Sequence, residues 1–346
     1  MELLNGLRRA APIAVLAFAL APACKPDLEG RPSRVDGPRL LAVRAVPAEV
    51  ETRDPFRLDS LVVDQNGTIA TTLDYGFCVA RKPLSELGSV ARACVDGAPG
   101  AIVPIGPAAI MPDDACRNFG PEVPPPKPGE DPGRPFDPDL TGGYYQPVRA
   151  FGAGENVRAE VAQIRVSCGV FGASAEQAAD FRAHYHPNGN PEVAALRIDG
   201  VVVDDTKPAT AIAGSTVVLA ASWAGCPMTD ACGDGVCGPD ETRADCAADC
   251  AGTAPKACTG AERYAYFDAG ARAVVRRRES IVASWYATGG DFAADRSGRT
   301  EDDLTTDTST GWTLPAEPGL LHGWVVLRDD RGGVGFRAFT LQVVAQ

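Results

Sequence analysis

Lysine and histidine are scarce in this chain of 346 residues: Lys25, Lys82, Lys127, Lys207 and Lys256 are its lysines, and His184, His186 and His322 its histidines. Acidic side chains number 45 against 33 basic ones, a formal charge of -12. Such a body repels phosphate backbones and anionic headgroups, and no basic stripe with interleaved aromatics offsets this, so nucleic acid is not an expected partner. The basic cluster Arg276-Arg277-Arg278 lies beside an alternating stretch and reads as a solvated strand start. Also missing are a Gly-x-Ser-x-Gly elbow, a Gly-rich phosphate loop and a His-Glu-x-x-His pair. No nucleophile has an evident base, so an enzyme is not expected. Apolar runs are too short to span a bilayer as a helix.

What is present begins with an address. Arg8 and Arg9 precede an apolar run from Ala10 to Ala21, and small residues lead to Cys24, which are the parts of a secretory signal over residues 1–23. Cleavage between Ala23 and Cys24 suits two routes. Ala21-x-Ala23 fits an ordinary signal peptidase, whereas a small residue before cysteine resembles a bacterial lipobox, whose cysteine receives lipid. The leucine such boxes carry three places before the cysteine is here Ala21, with Leu20 one place earlier. Cysteine count favours lipid on Cys24. The chain has 11 cysteines, and the rest, Cys78, Cys94, Cys116, Cys168, Cys226, Cys232, Cys237, Cys246, Cys250 and Cys258, form an even set that can pair in an oxidising compartment. Acyl chains hold by about 0.8 kcal/mol per buried CH2. The expectation is an exported protein anchored by lipid in a bacterial envelope, at the outer membrane; the preference for arginine over lysine fits GC-rich coding.

The mature chain reads as all-β, with two immunoglobulin-like β-sandwich domains and a disulfide-rich insertion in the second. With 37 glycines and 29 prolines the strands are well punctuated, and the apolar runs are short and valine-rich. Leu40 to Pro47 and Phe56 to Val63 read as strands, and Asn66-Gly67 after them as a tight turn; the rival reading of Asn66-Gly67-Thr68 as a glycosylation sequon is weaker. A faint repeat supports two copies: Leu41-Ala42-Val43-Arg44-Ala45 with Phe56–Val63 corresponds to Val193–Ile198 with Ala213–Trp223. The expected organisation is a lipidated tether over 24–37, a sandwich over 38–172 with a proline-rich surface loop at 121–142, a helical linker at 173–188, and a sandwich over 189–346 with a cysteine-rich insertion at 226–258. Ser174-Ala175-Glu176-Gln177 opens the linker helix as a capping box, and Pro187 ends it.

Pro318-Gly319 followed by Trp324-Val325-Val326-Leu327-Arg328-Asp329-Asp330-Arg331-Gly332-Gly333 resembles the last hairpin of bacterial immunoglobulin-like and PKD-like domains, and Trp312-Thr313-Leu314-Pro315 is similar to the approach to it. The resemblance implies a sandwich used as a spacer or binding module and carries over no catalytic residue.

The sharpest local motif runs from Cys232-Gly233-Asp234-Gly235-Val236-Cys237 to Cys246 and Cys250. It resembles a short Cys-Gly-Asp-Gly-x-Cys module of secreted bacterial proteins. Too few apolar side chains lie here for a core, so disulfides must hold it. The connectivity stays open, with Cys226–Cys258 at the base as the preferred pair. Thiolate zinc fits neither the compartment nor the spacing. No cofactor is expected: the module reads as a stapled loop with solvated carboxylates, and calcium held by Asp234, Asp240, Glu241, Asp245 and Asp249 is the alternative.

Other constellations are weaker. His184-x-His186 would need His322 to complete a metal site, and surface histidines at a helix end are the simpler reading. Glu279 with Asp291 is the least excludable hydrolase pair. Trp223, Trp285, Trp312 and Trp324 either form core or stack on sugars. Asp291, Asp295, Asp302, Asp303 and Asp307 read as a solvated loop, with weak calcium binding the runner-up. The function expected is a non-enzymatic, lipid-anchored envelope protein that presents an interaction or spacer module to an envelope protein or surface polysaccharide. A carbohydrate-binding module is the alternative, and a hydrolase the third.

Overall fold

The computed structural model describes residues 31–122, 128–129, 138–152, 157–251 and 257–346. The segment read as an export signal, Cys24 and most of the proline-rich loop lie outside the described residues. Residues Pro32–Gln346 form one compact unit.

The first sandwich comprises β1 (Arg39–Val46), β2 (Glu49–Val50), β3 (Pro55–Asp64), β4 (Gly67–Thr68), β5 (Leu73–Cys78), α1 (Arg92–Asp96), β6 (Ile102–Ile105), β7 (Ala108–Ile110), α2 (Ala115–Phe119), β8 (Tyr144–Gly152) and β9 (Glu160–Val166). One sheet runs β1-β3-β4 with β7 also on β3, the other β2-β9-β8-β5-β6. Alternation along β3 turns Phe56, Leu58 and Val62 onto Leu73, Tyr75, Phe77, Val148 and Ile164 of the facing sheet. At Asn66-Gly67 the positive φ, 124°, falls on Gly67, which pairs with Asp64.

After α3 (Ala175–His184), the second sandwich comprises β10 (Ala195–Ile198), β11 (Val201–Val202), β12 (Ala209–Ile212), β13 (Thr216–Ser222), α4 (Ala247–Cys250), β14 (Arg263–Asp268), β15 (Ala273–Arg278), β16 (Ile281–Ala287), β17 (Asp291–Phe292), β18 (Arg296–Arg299), β19 (Asp307–Thr313), β20 (Gly319–Asp329) and β21 (Val334–Val344). Its sheets are β11-β10-β13-β19-β17 and β12-β21-β20-β16-β18. The cysteine-rich segment and the β14–β15 hairpin are inserted between β13 and β16.

The two copies share a strand switch. β1 lies antiparallel to β3 while β2 joins β9 in parallel, and β10 lies antiparallel to β13 while β12 joins β21 in parallel. An opening segment that leaves one sheet and joins the last strand of the other, around a Greek-key core, makes both sandwiches immunoglobulin-like. The repeated segments of the sequence fill equivalent places, β1 with β3 and β10 with β13.

In the second core Trp285, Trp312, Leu327 and Leu341 are fully buried. Trp312 stacks on Phe292 at 5.5 Å and meets the Phe339 edge at 6.1 Å, and its Nε1 donates to the Gly289 carbonyl at 3.0 Å. Gly323 is required by close approach: the Phe339 ring comes within 2.2 Å of where a Cβ would stand.

The sandwiches also share a core. Val35, Leu41, Leu61 and Val63 pack against Trp324, Val326 and Val334 of β20 and β21. Trp324 Nε1 donates to Thr68 Oγ1 at 3.0 Å, and Arg328 Nη2 to the Leu41 carbonyl at 2.9 Å. The segment read as a tether is docked from Ser33 onward, since Ala287 N donates to the Ser33 carbonyl and Val35 N to the Ala287 carbonyl, each at 3.0 Å. Arg276-Arg277-Arg278 closes β15 and does not open a strand. Its side chains are engaged by Asp240, Glu301 and the Asp303 carbonyl, because the inserted module and the β18–β19 loop supply acceptors that local sequence does not reveal.

Candidate functional site: a buried ionic joint

The capping box is formed: Ser174 Oγ accepts from Gln177 N at 3.2 Å, and Gln177 Oε1 from Ser174 N at 2.9 Å. The helix stops at Tyr185, which turns extended (φ -86°, ψ 130°), because Pro187 forbids helical geometry just before it. The next residues form the joint. Tyr185 Oη donates to the Glu49 carboxylate at 2.7 Å, and Asn188 N to the same carboxylate at 3.0 Å. Arg165 Nε lies 3.2 Å from Glu49 Oε2, and Arg165 Nη1 donates to Thr141 Oγ1 at 2.6 Å. Glu49 and Arg165 are both buried. A cleft of about 380 Å3 opens beside this pair, lined by Gly143, Phe181 and Tyr185 among others, but the pair's polar atoms are already bonded within the protein.

Across from it lies Arg331, in the turn between β20 and β21. Nε donates to Glu279 Oε1 at 2.7 Å, Nη1 to the His186 carbonyl at 3.2 Å and Nη2 to Glu262. The guanidinium lies over the Tyr264 ring at 4.6 Å. Glu262 also accepts from Gly189 N and Cys258 N, each at 3.1 Å. Asp329 Oδ1 accepts from Gly333 N at 2.7 Å, Arg331 N at 2.9 Å and Asn188 Nδ2 at 3.2 Å. Asn190 extends the joint, donating to the Ala45 carbonyl at 2.7 Å and accepting from Val334 N at 2.9 Å.

Burial pushes the carboxyl groups up despite the neighbouring guanidinium. Glu279 is held well above the usual range, Glu262 is raised, and Asp329 is pushed up to about 6. Burial opposes the charge of Arg331, but Glu279 and Glu262 outweigh it and keep the guanidinium cationic.

The ten cysteines of the described residues form five disulfides: Cys78–Cys94, Cys116–Cys168, Cys226–Cys258, Cys232–Cys246 and Cys237–Cys250. Inside the insertion each of two Cys-Gly steps is held by a buried carboxylate: Asp249 accepts from Gly233 N, and Glu241 Oε2 from Gly238 N at 3.0 Å. His186 Nε2 faces the Gly238 and Glu241 carbonyls at 3.1 and 3.2 Å, so Nε2 carries the proton and ties the module to the joint. Burial lowers the pKa of His186.

The calcium candidates do not converge as a group. Asp234 Oδ1 accepts from Val236 N at 2.9 Å, Asp240 pairs with Arg276 and Arg263 at 2.8 and 3.1 Å, and Asp245 Oδ2 accepts from Thr242 Oγ1 at 2.7 Å. Glu241 and Asp249 do come together, around the Cys232–Cys246 bridge. His186 likewise approaches Cys237 and Cys250, whose sulfurs are bonded to each other. The histidines are not assembled: His184 Nδ1 lies 3.0 Å from Asp180 at the helix end, His186 is part-buried in the joint and is no surface residue, and His322 stacks near Trp324.

Glu279 is 1% exposed and bonded to Arg331, while Asp291 lies exposed on β17, so this carboxyl pair frames no open cleft. In the aspartate-rich stretch Asp303 and Asp307 pair with Arg299 at 3.1 and 3.4 Å. Trp223, Trp285, Trp312 and Trp324 are at most 3% exposed and offer no face to a sugar. Glu49, Arg165, Asn188, Glu262, Asp329 and Arg331 escaped the sequence reading as a group. A charged residue inside a strand-forming apolar stretch, as at Ala48-Glu49-Val50, was the available signal.

The sequence matches no protein-family model and no curated protein. Among solved structures the chain is similar to the D0-D1 domain of intimin, at 10% identity over 87% of this chain and 98% of that one, with a TM-score of 0.19. It is also similar to the Yersinia pseudotuberculosis adhesin InvE, at 9% identity over 87% and 58% with a TM-score of 0.20, and to E. coli alpha-2-macroglobulin, at 9% over 89% and 17% with a TM-score of 0.23. The fold assignment rests on the strand pairing described above.

Proposed function

We propose that this chain is an exported, non-enzymatic envelope protein, lipid-anchored at Cys24, whose paired sandwiches act as a stiff spacer that presents an interaction surface. The observation that carries the reading is cysteine parity. Of 11 cysteines, the ten in the described residues are all taken up in disulfides, and the one left over stands where a lipidation cysteine would. Full pairing fits an oxidising compartment outside the cytoplasm. The docking of the sandwiches through a shared core and the ionic joint supports the spacer role. In this reading the outer membrane is the site of the anchor, and an envelope protein or surface polysaccharide is the partner.

Palmitate labelling of the protein expressed in a bacterial host, with Cys24→Ala alongside, tests the anchor. Label and membrane fractionation that both vanish in Cys24→Ala are expected. An unlabelled, freely soluble wild-type protein would overturn the anchor. Crosslinking in intact envelopes then distinguishes a protein partner from polysaccharide.

A further inference from the structure

Three carboxyl groups, Glu262, Glu279 and Asp329, crowd one guanidinium, Arg331, and all four side chains are buried. Fully ionised, the group would carry three negative charges against one positive, at a place where unbalanced charge is costly. Glu262 and Glu279 each bond Arg331 directly. Asp329 differs, because Oδ1 takes three donors while Oδ2 is buried without a hydrogen-bond partner. That oxygen and the Gly189 carbonyl oxygen converge on the space left by the missing side chain of Gly333, lying 2.1 and 2.7 Å from where its Cβ would stand. A proton on Oδ2 gives this buried, unbonded oxygen a donor's role toward an acceptor that faces the same space.

We propose that on mild acidification Asp329 of the folded protein takes up a proton on Oδ2 and directs it toward the Gly189 carbonyl, so that the joint between the sandwiches tightens on acidification and loosens as pH rises. The surrounding charges favour this. From the linker, Asn188 is neutral and His186 is turned toward the cysteine module. From β14 comes Tyr264, and from the segment before it Glu262. From the turn before β16 comes Glu279, and Asp330 is a further acid in Asp329's own turn. Arg165 of the first sandwich is committed to Glu49, Arg277 to Glu301, and Arg278 to the Asp303 carbonyl. Arg331 is therefore the cation that serves all three acids.

The sign follows from linkage. Burial holds the folded Asp329 at about 6 against the pull of Arg331, above the roughly 3.9 of an unfolded aspartate. Its contribution to stability is fully present below about pH 4 and is lost as pH rises through about 6. His186 acts oppositely, because burial keeps its imidazole neutral and its contribution is lost as pH falls. The two are separated by comparing wild type with Asp329→Asn, which places a neutral isostere at this position.

The test is urea denaturation of the mature protein, disulfides intact, from pH 3.5 to 8. The proposal expects wild type and Asp329→Asn to match at the acid end. By pH 8 the wild-type folding constant falls below the variant's by on the order of 100-fold, about two pK units. A variant less stable than wild type at pH 8, with a parallel profile, would overturn it. Should the variant fail to fold, the carboxyl carbon-13 shift of Asp329 in the wild type decides: a midpoint near 6 supports the proposal and one near 4 contradicts it. Calcium added at pH 8 is expected to change nothing; stabilisation of wild type but not of the variant would replace the proton by a cation and sink the idea.

Discussion

The cysteine-rich insertion and the segment Tyr185–Asn190 face the same difficulty, since neither has enough apolar side chains to order itself, and they meet it by opposite means. In the insertion the constraint is covalent and local. Cys226–Cys258 closes its base, Cys232–Cys246 and Cys237–Cys250 lie within it, and Glu241 and Asp249 capture the adjacent glycine amides. In the joint there is no covalent link; charges from β2, β9, the linker and the β20–β21 turn hold one another. Cross-links limit the unfolded chain whatever the rest of the molecule does. A buried charge network exists only where the surrounding chain has folded and excluded water, and each member then depends on its partners. One region should therefore respond to reductant and the other to pH.

That contrast can be broken in order of expected effect. Arg331→Met leaves Glu262 and Glu279 buried without their cation and should cost about 3–5 kcal/mol in urea denaturation; a loss under about 1 kcal/mol would mean that the acids simply protonate and the joint does not depend on charge. The pair Cys226→Ala with Cys258→Ala opens the base of the insertion and should cost about 2–4 kcal/mol, equally at pH 5 and pH 8. A pH-dependent loss there would blur the division. Asn188→Ala removes the amide that donates to Asp329 and should cost about 1–2 kcal/mol, seen as a lower urea midpoint at unchanged slope. Ser174→Ala removes the cap of α3 alone and should cost about 1 kcal/mol or less, with joint amides still protected from exchange.

Much of the fold was legible because its signals are local. Alternation in Phe56–Val63 and Ala213–Trp223 marked strands with a buried face, the Ser174–Gln177 pattern marked the helix start, and cysteine parity pointed to complete pairing. The tryptophans lie in strand patterns, and core was the commoner outcome for them. The joint was not legible for a physical reason. Glu49, Arg165, Asn188, Glu262, Glu279 and Arg331 are scattered along the chain, each beside ordinary neighbours; folding brings Glu49 to Arg165 in the first sandwich and Glu262 and Glu279 to Arg331 in the second, and Asn188 of the linker bonds both groups. Glu279 shows the consequence. Its strand-side position suggested an acid for chemistry, whereas its carboxylate is occupied by Arg331. Arg276-Arg277-Arg278 shows the converse, a cluster that reads as solvated in sequence but is engaged by Asp240 of the insertion and by Glu301 and Asp303 of the β18–β19 loop.

Amide hydrogen exchange on wild type and Arg331→Met, both with disulfides intact, tests the central claim most directly. In the variant the amides of Asn188 and Gly189, which donate to Glu49 and Glu262, should lose protection. Those of Gly233 and Gly238, which donate to Asp249 and Glu241, should keep theirs. Equal loss in both regions, or none in either, would contradict the account that buried charge holds the joint while covalent bonds hold the insertion.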